Sequence, residues 1–377
     1  MGPAQNRMDV KTINKNRIYR YVYANGMTSK QGIAAGLGMS MPTVLQNVKE
    51  LIAEGLLAET GTFESTGGRK AKAISIVPGA RHAIGVEITR QHIGIVLVDL
   101  SGALLRQERL MQPFRAEDHY FRLLAEAIER FIDRCAVPRD SLLGVGISIP
   151  GIVSEDGMAI VSSHVIGVMS FATEAFTSRI PYPCFFANDA NAACAAEIHG
   201  QAEMEASVYL SLSNSVGGAV YTTNSIYKGD NQRGGEFGHM TLVPGGDVCY
   251  CGKSGCLDAY CNAQVLSSLA NGNLDDFFAK VDAGDRDAMA AWDRYMEHLA
   301  VALNNLRMAF DCNVIIGGYV GAYIDKHLPK LAAMVADRNT FERDGSYVKA
   351  CRYTQEASAV GAALRHVDEF AVNVSLG

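Results

Sequence analysis

Residues 83–105 read AIGVEITRQHIGIVLVDLSGALL. Aliphatic and β-branched residues flank Thr89, Arg90 and Gln91, so the stretch predicts two strands joined by a turn, with a third starting after Ser101 and Gly102. An amphipathic helix follows at 120–135, then an apolar strand from 142 that runs into Pro150 and Gly151. Residues 183–200, PCFFANDANAACAAEIHG, read as a strand that breaks at Asn188–Asp189 into an alanine-rich helix. Strand, turn and strand recur at 206–224, and 313–318 is a buried strand ending in Gly317 and Gly318. Such sets on either side of mid-chain predict two α/β lobes facing a cleft. The segments 292–310 and 356–370 read as helices, either of which can carry a dimer contact or pack on its own lobe.

With 377 residues, 48% of them hydrophobic and 20% charged, the chain has room for two or three domains with cores of their own. No apolar run approaches the ~20 residues that cross a bilayer, and the first residues lack the apolar core of a signal peptide. No membrane partner is therefore expected. Cys135, Cys184, Cys194, Cys312 and Cys351 lie scattered in apolar segments and read as reduced core thiols, which places the protein in a cytoplasm. Charge is uneven. Residues 1–80 hold ten Lys or Arg against five Asp or Glu, a balance of +5, and the remainder holds 24 against 35, or −11, summing to the −6 of the chain. A basic head on an acidic body points to an anionic partner for the head.

Within that head, Ile13, Ile18, Tyr21 and Val22 stand at roughly helical spacing, with Gly26 as a stop. A short helix runs to Gly38, and Ser40 is set to cap a third whose apolar face is Val44, Val48, Leu51 and Ile52. This is the helix-turn-helix plan. Met41, Thr43, Gln46 and Asn47 occupy the N-terminal part of the third helix, where a recognition helix meets base edges. Residues 56–77 alternate like two strands around a turn, a wing whose Arg69 and Lys70 suit phosphates or a minor groove. The expected partner is operator DNA. Val77–His82 reads as the linker.

Residues 238–256, GHMTLVPGGDVCYCGKSGC, place one His and three Cys in nineteen positions. His239, Cys249, Cys251 and Cys256 fit a closed tetrahedral Zn2+ site, one that staples a loop and activates no water. Cys261 falls outside the spacing and reads as a core thiol. The staple fixes the loop carrying Glu236. Asn188 and Asp189, at a strand-to-helix break, either cap the helix or face a cleft.

In order, IPG (149–151), NDANAACAAE (188–197), GGEFGHM (234–240) and CYCGKSGCLDAY (249–260), behind a helix-turn-helix head, resemble the ROK family of sugar kinases and sugar-responsive repressors. The resemblance spans about Lys11 to Val367. It implies a two-lobed actin-like, sugar kinase (ribonuclease H-like) α/β fold with an N-terminal winged helix-turn-helix domain. Residues 1–80 would be the DNA-binding domain, 81–187 the first lobe with a C-terminal helix (355–377) packing back on it, and 188–354 the second lobe with the zinc loop. It also implies zinc on the set above, sugar hydroxyls bound by Asn188, Asp189, Glu236 and His239, with Asp258 as a fifth contact, and a homodimer or tetramer. Asp189 matches the base of the kinases. Asp258 departs from the family's usual Glu and reaches less far. The stretch around His164 lacks an Asn-Leu-x-x-Trp-like motif common in the family, a role His164 can take.

The phosphate turns also depart from the kinases. Glu87–Gln91 (EITRQ) stands for Asp-x-Gly-Gly-Thr, and Ser213, Asn214 and Ser215 stand for the first residues of a glycine-rich turn that keeps only Gly217 and Gly218. Side chains there obstruct backbone approach to phosphates, so no kinase turnover is expected. The reading is a sugar-responsive transcriptional regulator, a repressor of carbohydrate genes that binds a small carbohydrate or derivative between its lobes. The alternatives are an ATP-dependent sugar kinase with an added DNA-binding domain and a regulator that senses a partner protein.

Overall fold

The computed structural model describes residues 3–63, 72–201 and 205–374. Arg69 and Lys70 lie outside the described residues. The head consists of α1 (Pro3–Asn25), β1 (Thr28–Ser29), α2 (Lys30–Leu37), α3 (Met41–Ala53), β2 (Leu57–Thr62) and β3 (Lys72–Ile76). Both short helices start on hydroxyl caps: Ser29 Oγ accepts from Gly32 N at 3.0 Å and Ser40 Oγ from Thr43 N at 3.4 Å. β3 pairs antiparallel with β1 and β2, giving a three-stranded wing sheet. The inward face of α1 is Ile18, Tyr19 and Val22, all fully buried, whereas Ile13 is 55% exposed. Five residues at about 100° each put Ile13 about 140° away from Ile18, so it misses the stripe that its apolar side chain had suggested.

The body contains two sheets with one plan. In the first lobe, β4 (His82–Ile88), β5 (His92–Asp99) and β6 (Leu104–Met111) form an antiparallel meander, followed by α4 (Asp118–Cys135) and β7 (Leu142–Ile149). A small satellite sheet of β8 (Ile152–Val153), β9 (Ala159–Ser163) and β10 (Val168–Ala172) and the short α5 (Glu174–Thr177) precede β11 (Cys184–Asn188). β7 and β11 join β4 in parallel, giving the order β11-β7-β4-β5-β6. After α6 (Asp189–Ile198), the second lobe repeats this with β12 (Ala206–Leu212), β13 (Val216–Thr222) and β14 (Ser225–Tyr227) as the meander. Next come α7 (Asp258–Cys261), α8 (Ala263–Ser267), α9 (Leu274–Asp282), α10 (Arg286–Phe310), β15 (Asn313–Gly317), α11 (Gly318–Ala336) and β16 (Val348–Ala350). The order is β14-β13-β12-β15-β16, with β15 and β16 parallel to β12. The chain ends in α12 (Ala357–Val372).

Each lobe closes its own core. Leu124, Ile128 and Phe131 of α4 bury against Ile84, Val86 and Ile95, and Trp292, Leu299 and Leu303 of α10 bury against Val208, Leu210 and Ile316. The two lobe-ending helices cross over: α12 lies on β4, β5 and β7 of the first lobe, and α6 lies against α12 while touching β12 and β13 of the second. The crossing is tight. A Cβ on Gly361 would sit 1.7 Å from the Ala192 carbonyl oxygen, so only glycine lets the backbones meet. The head sits on this crossing. Tyr19 packs edge-on to Phe370 at 5.9 Å, in one apolar cluster with Val360, Leu364 and Val367 of α12.

Candidate functional site

On the exterior of α3, Met41 and Gln46 are exposed and Thr43 is half-buried, its Oγ1 2.8 Å from Ser40 Oγ. Asn47 is corrected. It is 4% exposed, and its Nδ2 donates to the Thr43 carbonyl at 2.8 Å. Three residues beyond Val44, it falls on the helix's buried stripe and cannot face a base. Leu45 and Lys49, not singled out from the sequence, share the exposed face.

Between the lobes lies a cavity of about 380 Å3 that Asn188, Asp189, Glu236 and His239 all line. The strand-to-helix break at β11–α6 points the first pair into it. Asn188 does both jobs open to it: its Oδ1 caps α6 by accepting from Asn191 N at 2.9 Å, and its Nδ2 donates to Gly151 O at 3.0 Å. Asp189 Oδ1 accepts from Ala190 N at 2.9 Å. Burial pushes the Asp189 carboxyl up to about 7, helped by the Glu87 and Glu236 carboxylates. Glu236 precedes a 3-10 turn whose Phe237 is buried, which leaves the carboxylate exposed at the cavity. Its loop hugs β13: Gly235 has φ +87° and a Cβ there would meet Gly218 O at 2.3 Å.

Asp258 departs from its four companions. It is 1% exposed and lines an adjoining cavity of about 460 Å3. Its Oδ2 accepts from Val216 N at 2.6 Å and its Oδ1 from Asn262 Nδ2 at 3.2 Å, so both oxygens already serve the chain. Tyr250, which the sequence reading missed, lines both cavities. Its ring stands 6.2 Å from His164 and 5.4 Å from His239. Its position between Cys249 and Cys251 was the available signal: a loop closed on those cysteines presents whatever lies between them.

His239, Cys249, Cys251 and Cys256 form a group that could hold a metal ion, their donor atoms all within 4.8 Å of one another. Cys251 Sγ lies 3.8 Å from Cys256 Sγ, and Cys249 Sγ 4.0 Å from His239 Nδ1. A tetrahedron with metal–sulfur bonds of about 2.3 Å has edges of about 3.8 Å, which these two separations approach. His239 divides its nitrogens: Nδ1 faces the thiols, while Nε2 lies 3.3 Å from the Tyr250 hydroxyl and 3.9 Å from Glu236 Oε2. One ring thus joins the metal loop to the cavity wall.

Residues 83–368 match the family model described as ROK family. The chain belongs to the ROK family. Among curated relatives, the xylose repressor of Bacillus spizizenii is 26% identical over 81% of this chain and 82% of its own. The Escherichia coli K12 DNA-binding transcriptional dual regulator NagC is 32% identical over 70% and 66%. A ROK family transcriptional regulator, described as a homolog of the E. coli MLC protein, superposes with a TM-score of 0.75 at 21% identity, covering 97% of this chain and 98% of its own. The ROK hexokinase of Thermus thermophilus gives 0.60 at 27% identity, covering 78% of this chain and 100% of its own. The fold is the two-lobed actin-like one of these ROK proteins.

In this ROK chain, the turn after β4 is closed by side chains. Thr89 Oγ1 accepts from the Gln91 and His92 amides at 3.3 and 3.0 Å. Glu87 receives Ser358 Oγ at 2.6 Å and lies 3.2 Å from His92 Nε2. Glu356, 4% exposed, takes Arg109 Nε at 2.6 Å. Burial and the neighbouring Glu87 push Glu356 up to about 8 against the pull of Arg109, while the hydrogen bonds from His92 and Ser358 hold Glu87 below the usual carboxylate range. Glu87, Glu356 and Asp189 line one small recess. Tyr319, directly after Gly318, closes it from the second lobe. No helix among the described residues is long and apolar enough to cross a membrane.

Proposed function

We propose that this ROK protein is a sugar-responsive, DNA-binding transcriptional regulator, a repressor of carbohydrate genes. The observation that carries the reading is what the head adds. About three-quarters of this chain accounts for 98–100% of several ROK kinases, whereas the ROK transcriptional regulator is matched over 97% of this chain, head included. The named relatives that share this length are repressors.

Met41, Thr43 and Gln46 on α3 would meet operator bases, with Arg69 and Lys70 taking phosphates. Asn188, Asp189, Glu236 and His239 would bind the hydroxyls of a monosaccharide or its derivative, with Asp258 holding the Val216 turn against it. Charged acceptors make the stronger hydroxyl bonds. His239 Nδ1, Cys249, Cys251 and Cys256 would hold a structural Zn2+ that fixes the Glu236 loop, and the regulator would act as a homodimer or tetramer. Isothermal titration with a monosaccharide panel, each sugar also as its 6-phosphate, tests the reading. A saturable heat abolished by Glu236→Ala is expected, and silence across the panel refutes it.

A sugar kinase with an added head is the second reading, favoured by Asp189 with its carboxyl at about 7, poised to take a hydroxyl proton. Against it, the recess beside Asp189 holds Glu87, whose carboxylate is kept ionised by the hydrogen bonds from His92 and Ser358 and repels a triphosphate, and its turns carry side chains where phosphates need bare backbone. ADP release with ATP and the same panel separates the two; none is expected.

A further inference from the structure

The chain passes from lobe to lobe after α6 and again at 351–356 before α12, and the buried Glu197 ties the end of α6 to the second passage. Its carboxylate accepts from Arg352 N at 2.8 and 3.0 Å and from Tyr353 N at 3.0 Å. The Arg352 guanidinium in turn donates to the His199 carbonyl at 3.1 Å. Any rotation of one lobe against the other must pass through this knot. α6 has its first residues in the cleft and its last in the knot, a span of about 15 Å for ten residues. It is seated on α12 without a side chain between the backbones at Gly361, so the two helices are in direct backbone contact.

The DNA-binding head makes a polar contact with that pair of helices through Tyr23. The Tyr23 hydroxyl of α1 donates to Asp368 Oδ1 of α12 at 3.2 Å and meets His199 Nε2 at the end of α6 at 3.2 Å. His199 Nδ1 also lies 3.6 Å from Asp368 Oδ1, which closes a triangle across three elements. The Tyr23 and His199 rings are 6.2 Å apart. The apolar part of the seat, Tyr19 and Val22 on the Phe370 end of α12, tolerates sliding; the triangle does not, because hydrogen bonds weaken steeply with angle and distance.

We propose that Tyr23, His199 and Asp368 are the joint through which the state of the cleft sets the orientation of the DNA-binding head, with α6 as the connecting rod. This rests on the regulatory reading for its purpose. It is nonetheless testable without knowing the sugar or the operator. A ligand drawn between Asn188–Asp189 and Glu236–His239 pulls on both lobes. Its differential affinity for open and closed lobes is the free energy available at the joint.

The test is hydrogen–deuterium exchange on the full chain, with no ligand added, in a double-mutant cycle. Asn188→Ala frees the cleft end of the rod, and Tyr23→Phe removes the joint's hydroxyl while keeping the ring. Asn188→Ala is expected to raise exchange in residues 18–25 by roughly threefold or more, a coupling at the low end for networked residues. That increment should vanish in the Tyr23→Phe background. If Asn188→Ala loosens 188–198 and leaves 18–25 unchanged, or if its increment survives Tyr23→Phe, the joint is refuted. Asp368→Ala, which removes the acceptor, is the parallel variant should Tyr23→Phe misfold, with the same expectation. A merely structural Tyr23 would loosen α1 by an amount independent of residue 188. Failure of the sugar panel would overturn the regulatory reading and leave this cycle standing.

Discussion

Replacing Asp189 by Asn tests the electrostatics of the cleft. In the unfolded chain this carboxyl titrates near 3.8; folded, burial and the Glu87 and Glu236 carboxylates raise it to about 7. The native state therefore holds the proton more tightly than the unfolded one. The contribution is fully present below pH 4 and is lost as pH climbs through 7. From about pH 5.5 to about pH 8 the part lost spans about 1.5 pKa units, or about 2 kcal/mol at 1.36 kcal/mol per unit. The substituted amide cannot ionise, so the variant escapes that loss while keeping an oxygen for the Ala190 amide. At about 2.1 cal/mol/K of unfolding entropy per residue, a chain of 377 residues shifts by roughly 1.3 °C per kcal/mol, so the wild-type melting temperature should fall by about 2.5 °C more than that of Asp189→Asn over the same pH step. Scanning fluorimetry of both proteins in matched buffers measures it, and titrating groups that do not interact with Asp189 cancel in the difference. Melting curves that shift in parallel to within about 1 °C would show that Asp189 is solvated and ionised, and the account of the cleft floor would fall.

Other outcomes follow from neighbouring features. Cys251→Ser should cut bound zinc from about one ion per chain towards none and lower the melting temperature, because ion binding and loop folding are one event; unchanged metal content and melting would refute the site. Gly361→Ala forces a methyl onto the Ala192 carbonyl and should destabilise by about 2 kcal/mol or more in chemical denaturation. Gln46→Ala should weaken binding to a selected operator about tenfold with melting unchanged, as loss of a base contact does. Asn47→Asp should instead lower the melting temperature, since it buries a charge in the head's core.

Local chemistry made much of this molecule readable in advance. Ser40 and the apolar runs on either side of Thr89–Gln91 act within a few residues of themselves, so the head's third helix and the first meander stand out from sequence alone. The helices at 292–310 and 356–370 are legible for the same reason. The Asn47 error was avoidable: counting three from Val44 puts it on the apolar stripe. Ile13 failed by the same arithmetic. What sequence cannot carry is contact across long separations. Glu356 meets Arg109 across 247 positions, and Tyr23 meets Asp368 across 345. Nor does the motif around Asp258 reveal that its oxygens are spent on the Val216 amide. In each case the partner is chosen by how two lobes and a head close on one another.

The way α1 rests on α12 bears on how such proteins are built and rebuilt. Its seat is made by the body, from Phe370, Leu364 and Val367 with Asp368 and His199 at the rim, and asks of the incoming helix little more than Tyr19, Val22 and Tyr23 on one face. A foreign output module fused through a helix bearing those three side chains would inherit the docking geometry, which makes this body a chassis for chimeric biosensors.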